Sequence, residues 1–411
     1  MRRAGEAALQ LLAATPGRHR TDANALIRLH VAMAAPGADP GPRVVLVHDY
    51  VLVFRGAERT FSAIAECWPQ APLATLVYDP ALTGERFAGR ELRASWLQRL
   101  GPRQGNFRAL MPLYPGAARR LPVADAGLVI SSSSAFAHGV QPAPGAAHVC
   151  YCHSPFRYVW HERERALEAT PPPLRPAMRL LQRRIRRWDL RSSMGVTHYI
   201  ANSRITQQRI FDFWGRESII VHPPVSVERF APAPPEDYFL SAGELVRHKR
   251  MDLALEAARR AGRPIKVVGD GPELTRLRAA YGTAEFLGRV SDSQLETLLA
   301  RCRALVVPNV EDFGIAAVEA QASGRPVVAA RAGGSLETVI DGETGVLFPP
   351  GDVDALAEVL RETAFDRFPP ERLVAHAASF STERFQRRVR QVVESAWGEN
   401  AASAVPATSR G

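Results

Sequence analysis

Short apolar runs recur along the chain and are separated by stretches with helical spacing. The first, Val44-Val45-Leu46-Val47, is uninterrupted, as expected of a strand that a parallel sheet covers on both faces. A loop over His48 to Gly56 and a helix over Ala57 to Cys67 follow. Further strands are predicted at Leu73 to Tyr78, Gly127 to Ser131, Ala147 to Cys152, Val196 to Ala201 and Ser218 to His222. Strands alternating with helices predict a doubly wound α/β domain.

Proline then breaks the pattern between Pro223 and Pro235, and a second α/β series starts at Tyr238. Its predicted strands are Tyr238 to Ser241, Ile265 to Val268, Ala284 to Leu287, Ala304 to Val307, Val327 to Ala330 and Gly345 to Phe348. Helices are expected at Met251 to Ala261, Glu273 to Ala280, Asp292 to Ala300, from Ile315, at Asp352 to Glu362 and from Thr382 to Trp397. The division is a mobile extension over 1–42, a first α/β domain over 43–225, a linker over 226–237 and a second domain over 238–380. A terminal helix over 381–397, packing back on the first domain, and a disordered tail over 398–411 complete it. Two such domains leave a cleft between their strand C-terminal ends, where open α/β sheets bind ligands.

Composition narrows the class. At 46% hydrophobic and 23% charged residues over 411 positions, the chain can bury ample core. No apolar stretch is long enough for a transmembrane helix. Cys67, Cys150, Cys152 and Cys302 are too few and too scattered for a disulfide framework and read as buried thiols in a reducing compartment. A formal charge of +10 favours anionic partners. All but two of the 52 basic residues are arginine, which draws attention to Lys249 and Lys266.

The most informative segment runs from Asn309 to Ala320, after a buried strand and into a helix. Glu311 and Glu319 flank a turn at Phe313-Gly314. Gly314 permits close backbone approach, and the free amides after it, with the helix dipole, form an anion site suited to a diphosphate. Read alone, the same residues fit an acidic loop and an ordinary helical glutamate. Downstream stand Gly324-Arg325-Pro326-Val327-Val328, Gly333-Gly334, Glu337 and Gly342-Glu343-Thr344-Gly345.

This ordered set resembles the donor half of glycosyltransferase family 4, retaining enzymes of the two-domain GT-B fold. His48-Asp49-Tyr50, Gly56-Ala57-Glu58, Tyr151 to Tyr158, Ala201-Asn202-Ser203 and His248-Lys249-Arg250-Met251-Asp252 resemble its mannosyltransferase-like branch. The resemblance covers about Arg43 to Trp397. It implies a hexosyltransferase of polysaccharide biosynthesis that moves a sugar from a nucleotide-sugar donor, GDP-mannose by first choice. The acceptor would be a glycan or a lipid-linked saccharide, and neither a cofactor nor a metal would be needed. It further implies that Lys249 and Arg250 bind the donor diphosphate, with the amides of Gly314 and Ile315 after Phe313. Glu319 would hold the ribose, Glu311 would face the transferred sugar, and His153 would sit beside the reacting centre. Gly56 would belong to the phosphate-facing loop and Val290 would lie beside the base.

Two positions depart from the family pattern. Glu244 stands where many members have arginine, and Ala57 replaces a second glycine. Glu244 would repel a diphosphate unless it points elsewhere or Arg247 and Arg250 offset it. These departures support one other reading, a GT-B-fold scaffold that has lost turnover; a third, a GT-B-fold sugar-nucleotide epimerase, matches the motif set less closely.

Other features have plainer readings. Asp352-Val353-Asp354 looks like a metal motif but opens a helix, so Asp352 reads as an N-cap. Gly269-Asp270-Gly271 lacks the dinucleotide-binding pattern, and Ser131 to Ser134 reads as a loop at a strand end. The stretch 174–191 carries seven arginines, with Met178, Leu181, Ile185 and Trp188 at helical spacing. It reads either as a core-packed helix with a solvated face or as an attachment to anionic lipid, which would place a cytoplasmic protein at the inner face of the membrane. No nucleic-acid recognition module is visible.

Overall fold

The computed structural model describes residues 42–103 and 105–404, so the extension read over 1–42 lies almost wholly outside the described residues. Seven parallel strands form the first sheet: β1 Val44–Val51, β2 Leu73–Tyr78, β3 Leu92–Ala94, β4 Leu128–Ser133, β5 Ala147–Cys152, β6 His198–Ala201 and β7 Ser218–Ile220, in the order 3-2-1-4-5-6-7. The second sheet has six: β8 Phe239–Ala242, β9 Ile265–Val268, β10 Glu285–Gly288, β11 Leu305–Val307, β12 Val327–Ala330 and β13 Gly345–Phe348, in the order 10-9-8-11-12-13. Both sheets share the 3-2-1-4-5-6 winding, whose strand order reverses beside β1 and β8. Loops leaving the strands there diverge and open a crevice. This is the two-lobed GT-B architecture.

The sequence pattern misplaces some boundaries because it treats polarity as a sign of exposure. Strand β1 runs on through His48 and Asp49, each 1% exposed. Asp49 accepts four backbone N–H bonds, from Ser134 (2.5 Å), Ala135 (3.0 Å), Phe136 (2.7 Å) and Ala137 (2.6 Å), which offset the cost of burying a carboxylate. Ser131 to Ser133 belong to β4 rather than to a loop. Each of their hydroxyls meets a histidine: Ser131 with His148, Ser132 with His153 and Ser133 with His138. The short edge strand β3 carries no apolar run and went unpredicted.

Seven helices position the site: α1 Gly56–Cys67, α2 Arg175–Ser193, α3 Arg204–Trp214, α4 Met251–Ala261, α5 Asp292–Arg301, α6 Ile315–Ala322 and α7 Thr382–Ala404. The last continues beyond Trp397, so residues 398–404 are helical and not a disordered tail. It packs on the first lobe, where Phe385, Val389, Val392, Val393 and Ala396 join Leu46, Phe61, Ile64 and Tyr151 in one core. Each fully buried Val or Phe of this face contributes roughly 1.5–3 kcal/mol. The chain's two crossings between lobes lie side by side, with Val225 N–H donating to the Phe380 carbonyl at 3.0 Å. All four cysteines are free thiols; Cys150, Cys152 and Cys302 are buried and Cys67 is partly buried. Asp352 caps its helix by accepting from the amides of Asp354 and Ala355.

Candidate functional site

A cavity of about 780 Å³ lies between the lobes. Its walls come from loops that leave strand C-terminal ends: Arg55 and Gly56 after β1, Ser134 after β4 and His153 after β5. From the second lobe, Glu244 to Arg250 follow β8 and Asn309 to Gly314 follow β11.

The β11–α6 turn is held from behind. Gly314 adopts φ +96°, a left-handed conformation that admits glycine readily. Gly334 N–H donates to the Glu311 carbonyl at 2.8 Å, and a Cβ at Gly334 would come within 2.3 Å of the Phe313 backbone. No side chain caps α6, and the amides of Gly314, Ile315 and Ala316 have no acceptor among the described residues. Three open donors at a helix N terminus favour an anion through both hydrogen bonding and the dipole. Gly56 faces them across the cleft, where a Cβ would meet Ile315 Cδ1 at 3.1 Å.

Lys249 Nζ lies 2.6 Å from Glu311 Oε1, which also accepts from Asn309 Nδ2 at 3.0 Å. Arg250 has φ +50°, the single positive φ outside glycine among the described residues. Such strain of order 1–3 kcal/mol concentrates at functional turns. Its guanidinium pairs with Asp252 at 3.5 Å and Arg247 pairs with Glu273 at 3.6 Å, so neither offsets Glu244. Arg55 does, with Nη1 2.8 Å from Glu244 Oε2 across the cleft. The cation facing Glu244 therefore comes from the first lobe, whereas the family pattern places an arginine on the second.

His153 Nε2 is 2.8 Å from Ser132 Oγ, and His48 Nδ1 is 3.1 Å from both Ser132 Oγ and the Ser132 carbonyl oxygen. A carbonyl can only accept, so His48 Nδ1 carries a proton. Ser132 can then accept from His48 and donate to His153 Nε2, the arrangement that puts the His153 proton on Nδ1. Burial, together with His48 and Arg157, pushes the His153 pKa down to about 3. The ring is neutral at neutral pH and acts through hydrogen bonding, not as a cation.

Eight of the ten expected site residues line this cavity: Gly56, His153, Lys249, Arg250, Glu311, Phe313, Gly314 and Ile315. Glu319 does not; it opens on a neighbouring cavity of about 180 Å³ and lies 3.5 Å from Arg59 Nη1. Burial raises its pKa, with Arg59 opposing. Val290 lines neither cavity and packs at the margin of the second-lobe core. Sequence reasoning missed Arg55, Arg59, Arg157 and Arg209. Arg157 (3.4 Å) and Arg209 (2.5 Å) hold Asp312, beside Glu311, from the first lobe. Glu337 likewise accepts from the Arg204 amide (2.8 Å) and from His222 (2.9 Å). In each of these pairs the acid belongs to the second lobe, a pattern that no single segment displays. Among the described residues no cluster of His, Cys, Asp or Glu is placed to hold a metal ion.

Residues 226–379 match the family described as Glycosyl transferases group 1. A D-inositol 3-phosphate glycosyltransferase of Streptomyces avermitilis is 35% identical over 182 residues, 36% of this chain and 39% of that protein. A GDP-mannose-dependent alpha-(1-6)-phosphatidylinositol monomannoside mannosyltransferase of Mycolicibacterium smegmatis is 31% identical, covering 40% of this chain and 52% of that protein. The chain thus spans about half the length of the curated relatives it matches. Among solved structures, sucrose-phosphate synthase of Thermosynechococcus elongatus superposes with TM-score 0.65 at 16% identity, covering 87% of this chain and 100% of that one. Anabaena HepE in complex with UDP and glucose superposes with TM-score 0.64 at 18% identity, covering 86% and 100%. The interlobe cavity is therefore lined on one side by residues of the 226–379 stretch that matches Glycosyl transferases group 1, within a chain of GT-B fold.

Proposed function

We propose that the protein transfers a sugar from a nucleoside-diphosphate donor to a saccharide acceptor, with retention at the anomeric carbon and without a metal. The observation that carries this reading is the convergence of the three open α6 amides and Lys249 on one interlobe cavity. The bond from the anomeric carbon to the diphosphate oxygen breaks as negative charge builds on the diphosphate, and these groups stabilise it in place. The acceptor hydroxyl oxygen forms the new bond to the anomeric carbon, and its proton passes to the departing diphosphate oxygen. Glu311, relieved of part of its pairing when Lys249 turns to phosphate, accepts from the sugar's hydroxyls. His153 Nδ1–H donates to the same sugar, and Glu319 holds the ribose if Arg59 yields it.

Mannose from GDP-mannose is the proposed donor, supported by the mannosyltransferase relative; HepE, by contrast, binds UDP. The test is to offer purified protein isotope-labelled GDP-mannose, UDP-glucose and other common donors and to measure transfer and hydrolysis. Silence with every donor overturns the enzyme reading. The Arg55–Glu244 pair weakens the scaffold alternative, because it offsets the carboxylate that motivated it.

The same protein docks on anionic membrane through α2. Its inner face is anchored by Asp189, whose Oδ2 accepts from Trp160 and Trp214 at 2.7 Å. The seven arginines over 174–191 form no ion pair among the described residues, and Leu180 and Leu190 stand exposed among them. Each basic residue near such a surface adds about 1 kcal/mol. Flotation with vesicles containing an anionic lipid, against neutral vesicles, checks it. No helix among the described residues is long and apolar enough to cross a membrane.

A further inference from the structure

Glu311 and Asp312 are neighbours in sequence, yet different lobes hold their side chains. Glu311 is held within the second lobe, by Lys249 at 2.6 Å and Asn309 at 3.0 Å. Both carboxylate oxygens of Asp312 are taken by the first lobe: Arg209 Nη1 lies 2.5 Å from Oδ1 and Arg157 Nη2 lies 3.4 Å from Oδ2. No second-lobe group bonds that carboxylate among the described residues. Asp312 is 25% exposed and Arg209 16%, so solvent screens this pair less than it screens Arg55 and Glu244. Helix α3 gives the contact a firm base. Ile210 and Trp214 are buried, and Trp214 Nε1 donates to the buried Asp189 at 2.7 Å. The same helix reaches the second lobe a second time, where the Arg204 amide donates to Glu337 Oε1 at 2.8 Å. Asp312 and Glu337 stand on two loops that are themselves joined. Glu311 and Gly333 form a parallel bridge, and Gly334 N–H donates to the Glu311 carbonyl at 2.8 Å. His222 completes the grip, with Nε2 2.9 Å from Glu337 Oε2 and its ring stacked 5.3 Å from that of Phe313. The turn that leads to the open α6 amides is thus braced by its own lobe on one side and by the opposite lobe on the other.

We propose that Arg209 and Arg157 are positioning residues for the donor site. Acting through Asp312, they fix the turn over Glu311 to Gly314 in the shape that presents the following amides to a diphosphate. The anion site of the second lobe is then complete only while the first lobe is seated on it. This deepens the nucleoside-diphosphate reading and rests on it. The physical reason is the freedom of the turn itself. Gly314 can adopt many conformations, and no side chain caps α6 to restrict it. A carboxylate held at both oxygens removes that freedom before a ligand arrives. Donors ordered in advance bind an anion more tightly than donors that must be ordered by it. By reciprocity, an anion that orders the turn also strengthens the contact between the lobes.

Two measurements on the full chain test it. Amide hydrogen exchange without nucleotide reads the turn directly and does not depend on the donor reading. The amides of Gly334 and Ala317 report on it, because they donate to the Glu311 and Gly314 carbonyls. Arg209→Ala and Asp312→Ala should each speed exchange at both amides by about five-fold or more, with β1 and β4 unchanged. Calorimetry with GDP and with UDP reads the consequence. Each single variant should weaken the nucleotide that the unaltered protein binds by about 5–50-fold, and the double variant should lose no more than the worse single. Arg209→Lys, which keeps a cation within reach of Oδ1, should recover most of the affinity. Arg157→Ala should act in the same direction but less, since its contact is longer and shared with Glu162 at 3.6 Å. Unchanged exchange at both amides in Arg209→Ala overturns the assignment. So does an additive loss in the double variant, which would mean that Arg209 and Asp312 meet the ligand separately, or a lysine variant no better than the alanine one. If the unaltered protein binds neither nucleotide, the donor reading fails and the exchange result still decides whether the first lobe orders the turn.

Discussion

Lys249 Nζ and Glu311 Oε1 lie 2.6 Å apart at the mouth of the α6 N terminus, so the cation that would meet a diphosphate is already held by a carboxylate. The pair is about one-quarter exposed on each side, which keeps it exchangeable. Replacing Glu311 by Gln should leave Lys249 freer for phosphate. Nucleoside diphosphate is then expected to bind about 3–10-fold tighter, the scale of a partly exposed ion pair, while turnover falls. Lys249→Ala should weaken the same ligand by about ten-fold or more. Calorimetry on the two variants gives opposite signs if Glu311 competes with phosphate for Lys249; a shift in the same direction rejects it.

Arg55 and Glu244 predict a second pair of opposite effects. Both side chains are nearly half exposed, at 48% and 46%, so their removal should change stability by less than about 1 kcal/mol. Binding should respond more. Arg55→Ala leaves a carboxylate facing the phosphates and weakens nucleoside diphosphate, whereas Glu244→Ala leaves Arg55 free and strengthens it. A double-mutant cycle with no coupling between the two would show that the contact is incidental.

Asp49, which gathers four backbone amides, should matter for folding. Asp49→Asn retains one acceptor oxygen for four backbone amides and introduces a donor opposite them. A loss of about 2–4 kcal/mol is expected from denaturant unfolding, because buried donors are left without partners. The 134–137 loop should loosen with it, seen as faster amide exchange at Ser134 and Phe136.

The Ser132 hydroxyl sets which nitrogen of His153 carries the proton. In ¹⁵N-labelled protein His153 should be protonated on Nδ1, and Ser132→Ala should yield a mixture of tautomers. Finding the proton on Nε2 in the unaltered protein refutes the arrangement outright.

Acid should destabilise the fold through its buried histidines. Burial, with a contribution from His138, brings the pKa of His148 down to about 3, while the unfolded chain protonates near the ordinary value of about 6.5. The unfolded state thus binds the extra proton, and stability declines as pH drops from about 6.5 towards 3. The slope is up to roughly 1.4 kcal/mol per pH unit for each such histidine, and His153 adds to it. His148→Gln should flatten the dependence measured by denaturant melts between pH 6.5 and 4. An unchanged slope would mean that His148 is charged in the native state.

The sequence by itself determined the alternation of strand and helix, the division into two parallel-sheet lobes and the Glu311 to Glu319 segment with its open turn. These are local properties: apolar runs, glycine where the backbone needs φ above zero, and a helix start without a capping side chain. Boundaries failed at His48, Asp49 and Ser131 to Ser133, because polar residues there are buried against partners that the strand pattern does not reveal, most of them more than ten positions away and His138, the partner of Ser133, five. Only the tertiary structure decided what faces what across the cleft. Arg55 offsets Glu244, Arg59 reaches Glu319, and Arg157 and Arg209 fasten Asp312, while Val290 lines neither cavity. A charge has no fixed meaning along a chain; its effect depends on the distance and burial of its partner, and folding sets both.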